Sequence, residues 1–253
     1  MNITLSIAGF DPTGGAGIQA DLKVFRRFGV HGLSIVTAIT AQNTKGLKFV
    51  FPLKKDIFRK QFETLISDIK PDATKVGMLY TSEIIEELSY LIKKFKLTNI
   101  VVDPLLISTS GNWLIEKRAV KTLKEKLIPL STVVTPNIYE AMILTGINIK
   151  DEHSMEESAK ILKNKGPENV IITGGDLDEK AIDLLYNGKT YHLSKKKIKG
   201  IYHGTGCVFS SALTALLAKG KSVLESMKLA KDFVYKAIKD AEFISNGMGL
   251  LKI

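Results

Sequence analysis

Cysteine is nearly absent from this 253-residue chain. Cys207 stands alone, which excludes an internal disulfide and a cysteine-based zinc site. The four histidines, His31, His153, His192 and His203, fall at no H-x3-H or H-E-x-x-H spacing, so no structural transition-metal site is expected. No stretch approaches the run of about 18 apolar residues that a membrane-spanning helix needs. The opening Met1-Asn2-Ile3-Thr4 lacks the basic-then-apolar plan of a secretory signal, so the expectation is a cytoplasmic chain with no membrane partner. Prolines number seven, and no Pro/Gly/Ser linker, internal repeat or low-complexity tract divides the chain, which favours one domain over residues 1–253. Acidic residues are the minority, 26 Asp+Glu against 36 Lys+Arg, and the resulting charge of +10 invites an anionic partner, either nucleic acid or a phosphorylated small molecule. The densest basic run, Lys195-Lys196-Lys197 with Lys199, carries no interleaved aromatic for base stacking and no nucleic-acid signature. It reads as a solvated, lysine-rich surface, and no nucleic-acid partner is expected.

What is present is the composition of a globular domain, 45% hydrophobic and 25% charged, with an apolar period that switches repeatedly between strand-like and helical. Short apolar runs recur at 2–8, 33–39, 73–77, 99–103, 131–135 and 169–173. Helical spacing links Ile57, Phe58, Phe62, Leu65, Ile66 and Ile69, and again Phe209, Ala212, Leu213, Leu216 and Leu217. Continuous runs such as Ile100-Val101-Val102 and Val170-Ile171-Ile172 suit parallel strands buried on both faces, so the expected fold is α/β, a mostly parallel sheet between helical layers. Thr44–Leu53, and Ala181–Tyr186 with Thr190–Leu193 around Asn187-Gly188, read as hairpin material outside that alternation.

Two segments carry chemistry. In residues 7–22, IAGFDPTGGAGIQADL, a strand runs into Gly9, a turn at Asp11-Pro12 and a glycine-rich entry to a helix with Asp21 about one turn in. The glycines allow backbone amides close to a ligand, and the same pattern also serves a plain tight connection with Asp21 as a surface acid. In residues 203–213, HGTGCVFSSAL, Gly204-Thr205-Gly206 opens an amphipathic helix, whose unpaired amides and dipole favour an anion. Cys207 sits at that start, where the thiolate is favoured and the sulfur could accept a proton or act as nucleophile; a small buried residue is the plainer alternative. Gly188-Lys189-Thr190 and Gly220-Lys221-Ser222 lack the earlier glycine of a Walker loop, since Asp183 and Ala215 stand there. Gly204-x-Gly206 lacks the third glycine of the dinucleotide fingerprint, because Phe209 occupies its place.

Five ordered segments, IAGFDPTGGAGIQADL, TAITAQNTKG (37–46), VVDPLLISTSG (101–111), VVTPNIYEA (133–141) and HGTGC (203–207), resemble the hydroxymethylpyrimidine and phosphomethylpyrimidine kinases of thiamine biosynthesis, within the ribokinase-like superfamily. The resemblance spans about residues 3–235. It implies a ribokinase-like three-layer sandwich and ATP-dependent phosphorylation of 4-amino-5-hydroxymethyl-2-methylpyrimidine and then of its monophosphate. Gly204, Thr205 and Gly206 would form the anion hole for the transferring phosphoryl group and Cys207 the base. Asp103 and Glu140 would organise Mg2+, largely through water. Asp21 and Gln42 would read the pyrimidine, Gly9 and Met78 would wall its pocket, and Thr173, Gly174, Gly204 and Gly206 would face the nucleotide.

Two departures qualify what the resemblance implies. Ile172-Thr173-Gly174-Gly175-Asp176 has threonine where the family usually has a lysine near the nucleotide phosphates, and Thr173 cannot neutralise charge. Gly247-Met248-Gly249-Leu250 alters a C-terminal G-x-G-P element. The competing readings are a pyridoxal-type kinase on the same fold and a catalytically silent pyrimidine-binding or nucleic-acid-binding regulator. The hairpin edges could also pair two copies into a homodimer.

Overall fold

A computed structural model of the chain describes residues 1–108, 111–175 and 180–253. Thr109 and Ser110 of the 101–111 segment, and Asp176 of the 172–176 segment, lie outside the described residues. The first half runs β1 (Ile3–Phe10), α1 (Gly17–Arg27), β2 (His31–Asn43), β3 (Gly46–Pro52), α2 (Lys55–Ile66), β4 (Ala73–Val76), α3 (Ser82–Phe95) and β5 (Ile100–Val102). The second half continues with α4 (Ala119–Thr122), a π turn and a 3-10 turn ending at Leu130, β6 (Val133–Val134), α5 (Ile138–Thr145), α6 (Glu152–Lys163) and β7 (Asn169–Ile172). It closes with β8 (Lys180–Tyr186), β9 (Thr190–Lys196), β10 (Tyr202–His203), α7 (Thr205–Ala218), α8 (Val223–Lys239) and β11 (Gly249–Leu250).

Nine strands form one sheet in the order β3-β2-β1-β4-β5-β6-β7-β8-β9. The six strands from β2 to β7 in that order pair in parallel, while β3, β8 and β9 join antiparallel at the two ends. Each expected apolar run became a strand because alternate residues are buried on opposite faces. Ile7, Val76, Val102, Val134 and Ile172 pack against α2, α3, α5 and α6. Val101, Val133, Ile171 and Leu185 pack against α7 and α8. α7 is buried from Cys207 to Ala218, as its nearly continuous apolar surface requires. The result is the expected three-layer α/β arrangement. No helix among the described residues is long and apolar enough to cross a membrane.

Both expected hairpins are present, and one differs from its reading. β2 runs on to Asn43 and carries β3 with it as a flap, on which Ile39, Phe49 and Phe51 are exposed. Burial alternates along most of β2, with Leu33, Ile35 and Thr37 turned to the core and Ser34, Ile39 and Ala41 exposed.

The topology places the ligand crevice. From β1 the chain goes first to β2 on one side and later to β4 on the other, and open α/β sheets bind ligands beyond the strand C-termini at such a switch. β1 ends next to Gly9 and Phe10, and β4 is followed by Gly77-Met78. Packing behind this edge depends on the aromatic cluster of Phe58, Phe62 and Phe95. Phe62 is fully buried, so Phe62→Ala should lose about 3–5 kcal/mol, read as a lower urea midpoint with an unchanged slope. A loss below about 1 kcal/mol would mean that this layer does not hold the sheet.

Candidate active site

A cavity of about 960 Å³ opens along the C-terminal ends of the strands, at the upper end of the range for small-molecule sites. Gly9, Gln42 and Met78 wall it near β1, while Thr173 and Lys231 wall it near β7. β1 and β7 are four strand spacings apart in the sheet, about 19 Å, so one cavity has room for two ligands end to end. Asp103, Glu140 and the residues Gly204, Thr205, Gly206 and Cys207 lie in the same wall.

The start of α7 is shaped by close backbone approach. Gly204 has φ +82°, and a Cβ there would lie 1.9 Å from the Gly15 carbonyl oxygen, so only glycine fits. The first α7 bond joins Val208 N–H to the Gly204 carbonyl, and no side chain caps the helix. The amides of Thr205, Gly206 and Cys207 are therefore offered to a ligand, with the positive helix end behind them. The altered C-terminal element supports this turn: β11 pairs with β10, and Leu250 lies against Gly15.

Beneath this floor lies a buried ion pair. Lys75 Nζ donates to both carboxylate oxygens of Asp21 at 2.9 Å, and both side chains are fully buried. Ser6 and Ser211 donate to the same carboxylate at 2.5 and 2.6 Å. Burial alone would discharge Lys75, but Asp21, with Cys207 and Asp103 nearby, outweighs it and raises the ammonium's pKa. Asp21 is thus placed differently from expectation. It is absent from the cavity wall and holds Lys75, which is in that wall.

Cys207 departs from expectation in its ionisation. Burial is the dominant influence and pushes the thiol up to about 12, against the pull of Lys75 and the Gly17 amide, with Asp103 and Asp21 adding to the rise. A helix start does favour thiolate, but here Cys207 is 4% exposed beside two carboxylates and stays protonated.

Asp103 Oδ2 accepts from Ser210 at 3.0 Å, and burial raises its pKa despite Lys75. Glu140 forms a capping box at the start of α5, Oε2 accepting the Asn137 amide and Oε1 the Leu106 amide. On the β1 side, Asp11 accepts from Thr13 and from the Ala16 amide, and its Oδ2 lies 2.8 Å from His203 Nε2. Burial works against its charge, but His203 and Thr13 prevail and hold the carboxylate below its usual range. The Gln42 amide lies 2.8 Å from the same His203 nitrogen. The contact is made by Gln42 Nε2, so Asp11 and the Gln42 NH2 share one imidazole nitrogen whose tautomer sets the donor, and the NH2 has a second hydrogen free to point elsewhere. A Cβ at Gly9 would lie 3.0 Å from Met78 Sδ, so a larger residue there would press on the flexible Met78 side chain that shares the wall.

Residues 11–252 match the family model described as phosphomethylpyrimidine kinase. The chain belongs to the phosphomethylpyrimidine kinase family. It is 41% identical to the hydroxymethylpyrimidine/phosphomethylpyrimidine kinase of Bacillus subtilis over 97% of its own length and 92% of the relative's. A crystal structure of phosphomethylpyrimidine kinase from Clostridium difficile is similar at TM-score 0.84 and 42% identity, covering 94% of this chain and all of that one. The structure of an ADP complex of Bacillus subtilis pyridoxal kinase is similar at TM-score 0.92 and 41% identity, covering 100% and 97%. The ribokinase-like reading of the fold stands with these kinases.

Four residues of this phosphomethylpyrimidine kinase family member were not anticipated from sequence. Lys75 carried a signal, a lysine inside the apolar run Ala73–Val76 just before Gly77. Lys231 carried another, standing on the apolar period of Met227, Ala230 and Val234. Asp11 and His203 had none, since their pairing spans 192 residues. The run Lys195-Lys196-Lys197 is solvated as expected, Lys196 and Lys197 being exposed and Lys195 partly so, and it also contributes to the cavity wall.

The ion pair makes a sharp prediction. Lys75→Met leaves Asp21 charged and buried and should cost about 3–5 kcal/mol, and Asp21→Asn in the same chain should recover a large part of that loss. Urea denaturation of the parent, the two single variants and the double variant measures the coupling. Additive losses would contradict a mutual pair.

Proposed function

We propose that the chain transfers the terminal phosphoryl group of ATP to the hydroxymethyl oxygen of 4-amino-5-hydroxymethyl-2-methylpyrimidine and then adds a second phosphate to that monophosphate, as one domain over residues 1–253. The observation that carries this is the uncapped start of α7 opening into a cavity long enough for a nucleotide and a heteroaromatic alcohol together. Family membership and the ADP complex of a similar kinase support ATP as donor.

The flat ring lies at the β1 end, where Gly9 and Met78 bound it and the Gln42 NH2 donates to a ring nitrogen. Asp21 acts there through Lys75, keeping an ammonium under the reacting groups. The alcohol oxygen forms the new P–O bond as the bond to the ADP oxygen breaks and its electron pair leaves with ADP. The amides of Thr205, Gly206 and Cys207 take up the charge on the phosphoryl oxygens, which is the main contribution such a transfer asks of a protein. Cys207 accepts the alcohol proton. Because the thiol is protonated at rest, it must first release its own proton to water, and the charge of the Lys75 ammonium favours the thiolate left behind.

Mg2+ fits the remaining residues in one way. Among the described residues no three His, Cys, Asp or Glu side chains converge as ligands, so an inner cage is not built. Asp103 and Glu140 share the cavity wall, and magnesium keeps most of its waters, which two carboxylates can orient. When bound, it would neutralise charge on the nucleotide phosphates. The apolar flap of Ile39, Phe49 and Phe51 supports a homodimer through that edge.

A second reading has its own support, since a pyridoxal kinase structure matches the whole chain at TM-score 0.92. Pyridoxal is also a flat heteroaromatic with a hydroxymethyl arm. Turnover of both alcohols, with product mass read out, should favour the pyrimidine in kcat/KM and yield its mono- and diphosphate; a ratio favouring pyridoxal would transfer the assignment. Cys207→Ala should lower kcat by about 10²–10⁴ without altering ADP binding. The parent rate should climb with pH through neutrality as the thiolate fraction grows, and that limb should vanish in the variant. Parental turnover by Cys207→Ala would leave Cys207 as packing.

A further inference from the structure

The two glycine-rich segments of the site meet at one imidazole. His203 stands one residue before Gly204 and the α7 start, and Asp11 lies between β1 and α1. Their contact, 2.8 Å from His203 Nε2 to Asp11 Oδ2, joins positions 192 residues apart, and the phosphoryl transfer leaves it unused. Both side chains are in the cavity wall, yet they are only 10% and 5% exposed.

Asp11 and His203 are each held in place by further contacts. The Asp11 carboxylate accepts the Thr13 amide and hydroxyl and the Ala16 amide, donors that favour its charged form. His203 sits opposite Leu250 in the short β10–β11 ladder, and its Cδ2 would lie 2.8 Å from a Cβ at Gly15, so the ring fills the space beside the glycine loop. A third partner comes from the flap. The β2–β3 ladder passes from Ala41–Phe49 to Gln42–Leu47, skipping Lys48, and a bulge of this kind sharpens the local twist and re-aims side chains beside a site. Gln42 Nε2 ends 2.8 Å from the same His203 nitrogen.

One nitrogen cannot serve both partners. It carries either a proton, which it donates, or a lone pair, which accepts. Ionised Asp11 needs a donor and the Gln42 NH2 needs an acceptor, so the two compete for opposite states of Nε2. Asp11 prevails, because a lone pair facing a carboxylate is repelled, and a charge-assisted bond is about twice as strong as a neutral one. The proton on Nε2 then denies Gln42 an acceptor at His203, and the amide hydrogens are left for a ring in the cavity.

We propose that Asp11 and His203 are positioning residues for the acceptor alcohol: Asp11 holds a proton on His203 Nε2, and that proton turns the Gln42 NH2 to the heteroaromatic ring. A ring that offers a lone pair at this point is selected over one that offers C–H or N–H. The proposal rests on the phosphotransferase reading and deepens it, because the residue that sets the ring reader is the neighbour of the glycine that opens the phosphoryl site.

Part of the test needs no turnover. Labelling histidine with 15N gives four ring signals, of which His31, His153 and His192 belong to exposed residues, so His203 stands apart and His203→Gln assigns it. The parent should carry the proton on Nε2, and Asp11→Asn should move it largely to Nδ1. A parent Nε2 without a proton would overturn the proposal whatever the turnover. KM is then measured separately for the alcohol and for ATP in variants checked for folding by circular dichroism. Asp11→Asn and His203→Leu should raise the alcohol KM by about 10-fold, the loss of one hydrogen bond, while the ATP KM holds. His203→Gln brings an amide donor to the place of Nε2 and should recover most of that loss, which a packing role would not. In a Gln42→Ala background Asp11→Asn should add nothing to the alcohol KM, because its effect runs through Gln42. If His203→Leu fails to fold with Asp11 left unpaired, the ring signal and Asp11→Asn carry the same expectation. A full further loss in the Gln42→Ala background, or equal losses for alcohol and ATP, would overturn the proposal. A parent with the expected Nε2 proton that phosphorylates no alcohol would fail the transferase reading, and alcohol affinity by calorimetry would replace KM in the same comparisons.

Discussion

A lysine with no access to water sets the terms for the site. Lys75 is charged inside the sheet because Asp21 is there to receive it, and Asp21 is charged because Lys75, Ser6 and Ser211 satisfy its oxygens. The groups come from β4, α1, β1 and α7, so the pair can form only when those four elements are in register. A buried pair of this kind is weak evidence for net stability, since desolvation offsets much of the attraction. Its value lies in what breaking it would cost, and in the positive charge it fixes beside Asp103 and Cys207, where a phosphoryl group would pass.

That charge also explains the balance at Cys207. Helix dipole and ammonium favour the thiolate; burial and two carboxylates oppose it, and the opposition wins. In the proposed transfer, the amides at the start of α7 would stabilise charge and the sulfur at its third residue would handle the proton, two tasks set side by side on one turn of helix.

The fold was legible because its information is local. Runs such as Val170-Ile171-Ile172 could be buried on two faces only as inner parallel strands, and Asn187-Gly188 marked the β8–β9 turn. The glycine-rich helix start was legible for the same reason. What escaped was pairing at long range. Asp21 read as a ligand-facing acid because Lys75 is 54 residues away, and nothing near either residue announces the other. Lys231 sat on a helical apolar stripe where a charge needs a partner, and the partner lay in another layer.

The central claim is spatial: the heteroaromatic alcohol enters at the β1 end, the nucleotide at the β7 end, and they meet at the start of α7. A crystal structure with a non-hydrolysable ATP analogue and the aminopyrimidine alcohol tests it most directly. The account predicts the ring beside Gln42 and Met78, the terminal phosphate on the amides of Thr205, Gly206 and Cys207, and the hydroxymethyl oxygen about 3–3.5 Å from phosphorus. A ring lodged beside Thr173, or phosphates that avoid the α7 start, would contradict it.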